Sequence, residues 1–460
     1  MGAFIDTLRH GDWLTRERMR MWALAVLAAS LIGLVFIVAT SDGLNDYQGR
    51  PLGTDFSNVY AAGSYVLEGR AAAPFDWPLQ YAREQAIFGE KTPFYGWHYP
   101  PFFLFVAGLL ALLPYTLALL AWQLATLVIY LLMVRTILTA SWPGIAVRRT
   151  ASLRSPMSRP STASFPSSAQ QGVDARDKPG HDGGAGGTRR DHLWLLAALA
   201  FPAVFVNIGH GHNGFLTAAL LGTALLTLDR RPILAGILFG LIAYKPQFGV
   251  LIPLVLIASG RWRAFFAAGA TVAALGIATL LAFGPEVWRA FFASTALTRV
   301  EVLELGGTGW HKIQSVFSMV RIWGGDIPLA YAVQGAVTVM LAAALAWLWR
   351  SSAAYPLKAA ALTLAAIAAT PYSLDYDLVV LAPALAFLAA DGLSRGFGPY
   401  EKTALTFLWF MPLIARTVAE QTLVPLGVPA MLLVFGLVLL RAAGDLGLLA
   451  RWHSAAQPIK

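Results

Sequence analysis

The sequence has no cysteine, and only 13% of its 460 residues are charged. Without cysteine the chain can form no disulfide framework, thiol nucleophile or cysteine metal site. A soluble domain carries about 25% charged residues, so the scarcity of charge indicates that lipid is the main solvent. Glycine-rich phosphate loops, serine-hydrolase motifs and nucleic-acid-binding motifs are also missing. In their place, 57% of the residues are hydrophobic. We therefore predict an all-α polytopic membrane protein.

The basic residues that are present give the chain a formal net charge of +9. Most of them stand in short gaps between apolar runs, as in Arg230-Arg231, and these gaps alternate with others that contain few. This distribution is typical of cytoplasmic loops and argues against a nucleic-acid partner. The first run, 22–40, is too long for the core of a signal peptide and no cleavage site follows it, so we predict a retained helix.

Thirteen apolar runs divide the chain. They lie near 22–40, 101–113, 115–138, 193–208, 214–228, 233–244, 247–259, 264–283, 327–349, 359–370, 378–390, 403–419 and 424–440. The charge pattern places both termini in the cytoplasm, so an even number of spans is expected. Run 101–113 begins at Pro100-Pro101 and ends at Pro114, so we interpret it as a half-helix and predict about 12 transmembrane helices. In the alternative, the long loop that follows residue 138 lies outside the cell despite its basic residues.

This topology predicts the organisation of the chain. Residues 1–21 form a cytoplasmic N-terminus, 22–440 a transmembrane domain and 441–460 a cytoplasmic tail. Within the domain, 41–98 form a large first extracytoplasmic loop. Residues 141–191 are rich in Ser, Pro, Gly and charge, a composition that cannot bury enough apolar surface to fold. We predict that they are a disordered insertion without a catalytic role.

Five short polar motifs stand at the ends of apolar runs, all on the predicted outer face. The first contains Asp55, at the start of an apolar-periodic stretch. A carboxylate just beyond a membrane helix can act as a general base, but the same residue can also be an ordinary helix N-cap.

The second motif runs from Trp97 to Pro101 and includes His98 and Tyr99. Its prolines fix a corner between loop and membrane, and its aromatic residues are also typical of an interface belt.

The third motif, His210-Gly211-His212-Asn213-Gly214, interrupts two apolar runs. Two histidines can bind a metal, but catalytic zinc sites usually have three protein ligands. A polar hairpin that contacts a sugar or phosphate is the favoured hypothesis, and a plain turn is the alternative. We predict no metal site and no cofactor, since a divalent ion is compatible with the sequence but not indicated by it.

The fourth and fifth motifs bring charge into apolar sequence. Lys245 would be costly there unless it faces a cavity, or unless it snorkels to the interface. Asp375 and Asp377, between two apolar runs, are candidates for binding sugar hydroxyls or a divalent ion, with a solvated loop tip as the alternative.

Taken in order, the motifs resemble glycosyltransferase family 87, membrane enzymes of the GT-C superfamily. The matching stretches are Asp55-Phe56 with Tyr60-Ala61-Ala62-Gly63, Tyr99-Pro100-Pro101 with Leu113-Pro114, Gly211-His212-Asn213-Gly214, Ala235-Gly236 with Gly240 and Lys245-Pro246, and Pro371-Tyr372-Ser373-Leu374-Asp375. The resemblance covers roughly 20–440 apart from the insertion. It implies a GT-C-like bundle in the cytoplasmic membrane with an outward-facing active site. It also implies transfer of a sugar, often mannose, from a polyprenyl-phosphate carrier to a glycolipid or glycan acceptor of the cell envelope.

Members of this superfamily have an acidic residue of the first outer loop at the reaction centre, and Asp55 has that position here. The resemblance therefore favours Asp55 as the general base, with Lys245 and His212 at the carrier phosphate. The remaining candidates for substrate contacts or loop shape are Tyr99, His98, Asn213, Asp375 and Asp377. A transporter or flippase of lipid-linked sugar is an alternative, although it should have inverted repeats and ionisable residues near the middle of the membrane. A non-catalytic assembly subunit is another.

Overall fold

The computed structural model describes residues 2–140 and 192–448, and every regular element within those ranges is a helix. The α-helices before the gap are α1 (Gly2–His10), α2 (Arg16–Ala39), α3 (Phe56–Leu67), α4 (Trp77–Phe88), α5 (Leu104–Ala111) and α6 (Tyr115–Thr139). Those after it are α7 (Leu193–Leu199), α8 (Pro202–Gly209), α9 (Gly214–Thr227), α10 (Pro232–Leu241), α11 (Pro246–Gly249), α12 (Ile252–Ala258), α13 (Trp262–Phe283), α14 (Glu286–Thr298), α15 (Val316–Ile322), α16 (Ile327–Arg350), α17 (Tyr355–Ala368), α18 (Ala382–Arg395), α19 (Glu401–Thr422) and α20 (Gly427–Asp445). Short 3₁₀ or π segments cover Ala73–Phe75, Pro101–Phe103, Ile242–Tyr244, Arg299–Glu304, Trp310–Lys312 and Asp375–Leu381. The all-helical class predicted from the sequence is confirmed. The predicted insertion 141–191 and residues 449–460 of the predicted tail 441–460 lie outside the described residues.

Six helices in the described part of the chain are long and apolar enough to cross a membrane. They are Arg16–Ala39, Tyr115–Thr139, Trp262–Phe283, Ile327–Arg350, Asp375–Arg395 and Gly427–Asp445. Five shorter apolar helices, of 10–17 residues, accompany them. The chain is therefore a multi-pass membrane protein, while the number of about 12 spans stays a prediction.

Helices α9, α17 and α18 form the centre of the bundle. In α17, every residue from Ala359 to Ala368 is buried. A helix that is apolar on all sides has no polar face to turn outward, so it is stable only when other helices surround it. Helices α2 and α13, in contrast, expose most of their apolar side chains. Contiguous apolar surface of this extent identifies the lipid-facing side of the bundle.

Helix α5 is much shorter than a membrane span. Its eight residues rise about 12 Å, less than half of a hydrocarbon core of roughly 30 Å. Pro101 begins the 3₁₀ turn before it, and Pro114 stands directly before α6, so the chain cannot continue as one straight helix. This length agrees with the interpretation of run 101–113 as a half-helix. Its path through the membrane stays a prediction.

Helix α3 belongs to the predicted first loop, and it packs directly on α5. A Cβ at Gly63 would lie 2.1 Å from the carbonyl oxygen of Ala107, so only glycine permits this approach of the two backbones. The contact holds α3, whose N-cap residue is Asp55, against α5. That the loop lies outside the cell stays a prediction.

A network of ion pairs joins α18, α19 and α20 at one end of the bundle. The carboxylate of Asp391 accepts two hydrogen bonds from the guanidinium of Arg395, at 2.7 and 2.8 Å. It also pairs with Arg441 at 2.6 Å, and Arg441 in turn donates to Glu401. Asp377 lies at the other end of the helical segment that ends at Arg395, about 27 Å away by helix rise. The five motifs meet at that second end.

Candidate functional site

One cavity collects residues from all five polar motifs. It is lined by Asp55, Asn58, His98, Tyr99, His212, Tyr244, Lys245, Gln247, Tyr372, Tyr376 and Asp377. Six of the eight candidates named from the sequence are among them, and Asn213 and Asp375 are not. The segments that supply this lining are distant in sequence, so the bundle itself creates the cavity. What each residue does there stays a prediction.

Asp55 has the N-cap position of α3, but its side chain makes no capping hydrogen bond. Its Oδ2 atom lies 2.7 Å from Nδ1 of His210 instead, and Thr54 approaches the same nitrogen at 2.8 Å. The Asp55 side chain is 20% exposed, so it borders the cavity without being sealed from it. The N-cap interpretation therefore does not account for this carboxylate.

His210 belongs to the third motif and contacts Asp55, but it was not among the site residues predicted from the sequence. Burial lowers the pKa of its imidazole, but the hydrogen bond and negative charge of Asp55 outweigh burial, and the net pKa is raised. Gly211 brings the hairpin to α3: its φ is +61°, and a Cβ there would lie 2.6 Å from Cβ of Phe56. The backbone N–H of Phe56 also donates to the His210 carbonyl at 3.2 Å. The available sequence clue was its place two residues before His212.

His212 is held in one orientation. Its Nε2 atom shares a hydrogen bond of 3.2 Å with the hydroxyl of Tyr99, and its ring stacks on Tyr376 with centroids 3.7 Å apart. Burial, together with the positive charge of Lys245, lowers the pKa of His212 well below its usual value. The imidazole is therefore neutral at pH 7. The assignment of His212 to the carrier phosphate stays a prediction.

Lys245 is buried, and Nζ lies 2.5 Å from Oδ1 of Asp377. The other carboxylate oxygen of Asp377 accepts the backbone N–H of Leu374 at 3.0 Å. A lysine that is 4% exposed does not snorkel to solvent, so the cavity-facing alternative describes it better. An ammonium that already has a carboxylate partner, however, supplies less net charge to a ligand than an isolated lysine would.

The two candidates outside the cavity lining are both buried. Asn213 precedes α9, and its backbone carbonyl accepts the hydroxyl of Tyr244 at 3.2 Å. Asp375 accepts the backbone N–H of Tyr376 at 2.9 Å and lies 3.9 Å from Nη1 of Arg416. Asp375 is 5% exposed, so the alternative of a solvated loop tip does not describe it.

A buried carboxylate anchors the segment that carries His98 and Tyr99. Glu84, on α4, accepts the backbone N–H groups of Tyr95 at 3.0 Å and Gly96 at 3.1 Å. Burial raises the pKa of Glu84 to about 7, against the opposing effect of these hydrogen bonds. Burial also lowers the pKa of His98 to about 4, so that this ring is neutral at pH 7.

Among the described residues, no three His, Asp or Glu side chains are grouped as ligands for one metal ion. Metal independence and the absence of a cofactor stay predictions.

Comparison with known proteins gives one match. The model of glycosyltransferase family 87 matches residues 97–374, which is more than half of the chain. This stretch includes the second, third and fourth motifs and ends within the fifth. The first motif, which contains Asp55, precedes it. No curated protein and no solved structure matches the chain.

Proposed function

The chain belongs to glycosyltransferase family 87 and is a membrane glycosyltransferase, and we propose that its donor is a polyprenyl-phosphate sugar. The sugar is a mannose-like hexose, and the acceptor is a glycolipid or glycan outside the cytoplasmic membrane. The active site faces outward, and transfer inverts the anomeric configuration. The donor, the sugar and the acceptor are those that the resemblance of the five motifs to this family implies.

One observation carries the mechanism: the carboxylate of Asp55 borders the cavity and is not used as a helix cap. A general base must reach the proton that it removes, and it must keep a lone pair available. Asp55 meets both conditions, since His210 engages Oδ2 and no capping bond holds the side chain to α3. His210 orients the carboxylate towards the cavity.

The transfer is a single displacement. The oxygen of an acceptor hydroxyl attacks the anomeric carbon of the bound sugar and gives its proton to Asp55. The bond between that carbon and the phosphate oxygen breaks, and its electron pair leaves with the polyprenyl phosphate. Since attack and departure are on opposite faces of the sugar, the configuration inverts.

Negative charge grows on the departing phosphate, and cations aimed at such charge act most strongly where water is excluded. Among the described residues that line the cavity, Lys245 is the one lysine or arginine, and it is buried. We assign it to the phosphate, with Asp377 fixing the position of its ammonium group. The polyprenyl chain needs only an apolar groove between helices, which the lipid-facing surface can supply.

The test is Asp55→Asn in protein purified in detergent and supplied with labelled polyprenyl-phosphate mannose. Asparagine keeps the shape of the side chain but cannot accept the proton. We expect a folded variant that still binds the donor, with turnover lower by about 10²–10⁴-fold.

Asp76→Asn is the matched control, because Asp76 is a true N-cap in the same loop and accepts the N–H of Leu79 at 3.1 Å. Asparagine caps a helix as well as aspartate does, so this variant should keep full activity. An Asp55→Asn protein with near wild-type transfer would exclude Asp55 as the base and direct attention to Asp375 and Asp377.

A further inference from the structure

Asn58 lies one turn after Asp55 on α3, and both residues line the cavity. Residues three apart share a face of a helix, so the acceptor-activating carboxylate and this amide point into the same space. The backbone carbonyl of Asn58 accepts Nε2 of Gln80 at 3.1 Å, and Gln80 also donates to Glu84 at 3.2 Å. The position of Asn58 is therefore fixed by buried groups behind the cavity wall.

The side-chain oxygen of Asn58 is left without a protein partner. The residue is 3% exposed, and Oδ1 has no hydrogen bond to any described residue. A buried carbonyl without a donor is unfavourable, and native structures keep few of them. An unsatisfied acceptor on the wall of a cavity indicates that a ligand donor completes it.

His212, which also lines the cavity, has a second unsatisfied buried atom. Nε2 is occupied by Tyr99 and the ring is stacked on Tyr376, but Nδ1 has no partner among the described residues. A neutral imidazole presents either a donor or an acceptor at that nitrogen, according to its tautomer. A hydroxyl group can satisfy both forms.

These two atoms select the chemistry of their ligand. An amide oxygen accepts hydrogen bonds only, and the ionised oxygens of a phosphate also accept only, so a phosphate cannot supply the hydrogen bond that Oδ1 of Asn58 lacks. A sugar hydroxyl donates as well as accepts. Asn58 and Lys245 thus divide the cavity into a part suited to hydroxyls and a part suited to the phosphate.

We infer that Asn58 binds a hydroxyl of the transferred hexose, with His212 contacting a second one, and that Asn58 determines which sugar is accepted. The inference rests on the proposed function, since it assigns the sugar-binding half of that cavity. A site that hydrogen-bonds a substrate hydroxyl discriminates strongly against the analogue that lacks it, because its own polar atom is then left unpaired.

The experiment compares wild type and Asn58→Ala with polyprenyl-phosphate mannose and a set of its monodeoxy analogues. Wild type should transfer one deoxy sugar roughly 10–100-fold less efficiently than mannose, by kcat/KM. Asn58→Ala should lose a similar factor on mannose and should treat mannose and that deoxy sugar alike. Equal discrimination by the two proteins would overturn the inference.

Asn45→Ala is the matched control. Asn45 also has a buried Oδ1 without a described partner, but it does not line the cavity, so its replacement should leave sugar discrimination unchanged. If Asn58→Ala does not fold, the wild-type deoxy series decides, since equal transfer of all analogues contradicts a hydroxyl contact. Active wild type with unaltered discrimination in Asn58→Ala refutes this inference alone. Wild type that transfers no sugar from any polyprenyl-phosphate donor refutes the proposed function together with it.

Discussion

The buried pair of Lys245 and Asp377 allows a structural role to be separated from a catalytic one. Lys245→Met removes the ammonium and leaves the Asp377 carboxylate in the bundle without its counter-ion. Breaking a buried ion pair on one side typically costs about 3–5 kcal/mol of stability. The single variant should therefore unfold at markedly lower temperature or denaturant concentration, as well as lose activity.

The double variant Lys245→Met, Asp377→Asn removes both charges. Asparagine at 377 retains an oxygen for the backbone N–H of Leu374, which Asp377 Oδ2 now accepts at 3.0 Å. Replacing a whole buried pair by neutral groups is often close to neutral in stability, so most of the lost 3–5 kcal/mol should return, within about 1 kcal/mol. Turnover should stay lower by about 10²–10³-fold, because the cation at the leaving phosphate is still absent.

Both quantities can be measured on the same detergent-purified samples, as unfolding curves and as the rate of sugar transfer. Glu68→Gln breaks the exposed pair of Glu68 with Arg83 and should cost no more than about 1 kcal/mol. The reasoning is refuted if the double variant regains turnover along with stability. Lys245 would then serve only to neutralise Asp377.

Two further predictions concern the predicted first loop. Because the pKa of Glu84 is raised to about 7 from 4.5, the folded state binds this proton more tightly than the unfolded chain does. The free energy of unfolding of the wild type, relative to that of Glu84→Gln, should therefore be highest below about pH 4.5 and fall by about 3 kcal/mol as the pH rises through 7. Parallel pH profiles of stability for the two proteins would contradict this. For topology, Gln48→Cys, at an exposed position, should react with an impermeant thiol reagent in intact cells, whereas Arg230→Cys should react only after the membrane is breached; the reverse pattern would invert the assignment.

The sequence was sufficient for the helical class and for most of the cavity. Scarce charge and long apolar runs predict membrane helices, and each polar motif ends such a run, so the motifs meet where helices end together. Asp55, Tyr99 and Lys245 were found in this way. Periodicity states which face of a helix is apolar, but it does not state which distant residue is its neighbour.

The residues that were missed depend on such neighbours. Glu84 has the sequence environment of a solvated charge on a loop helix, and only packing against the 95–96 backbone buries it. The partner of Lys245 is 132 residues away, and no local pattern joins the two. Asp375 and Asp377 differ by only two positions within a 3₁₀ turn, and that turn directs only Asp377 to the cavity.

The ion-pair network of α18 to α20 has a consequence for biosynthesis. Ribosomes add about 5–20 residues per second, and Arg441 follows Glu401 by 40 residues. Arg441 is therefore synthesised roughly 2–8 s after Glu401. During that interval the carboxylate of Glu401, at the start of α19, has no partner from α20. Arrival of α20 brings Arg441 to Glu401 and Asp391 together. A nascent chain that stops before α20 therefore lacks the guanidinium that pairs with Glu401 and Asp391 in the finished protein.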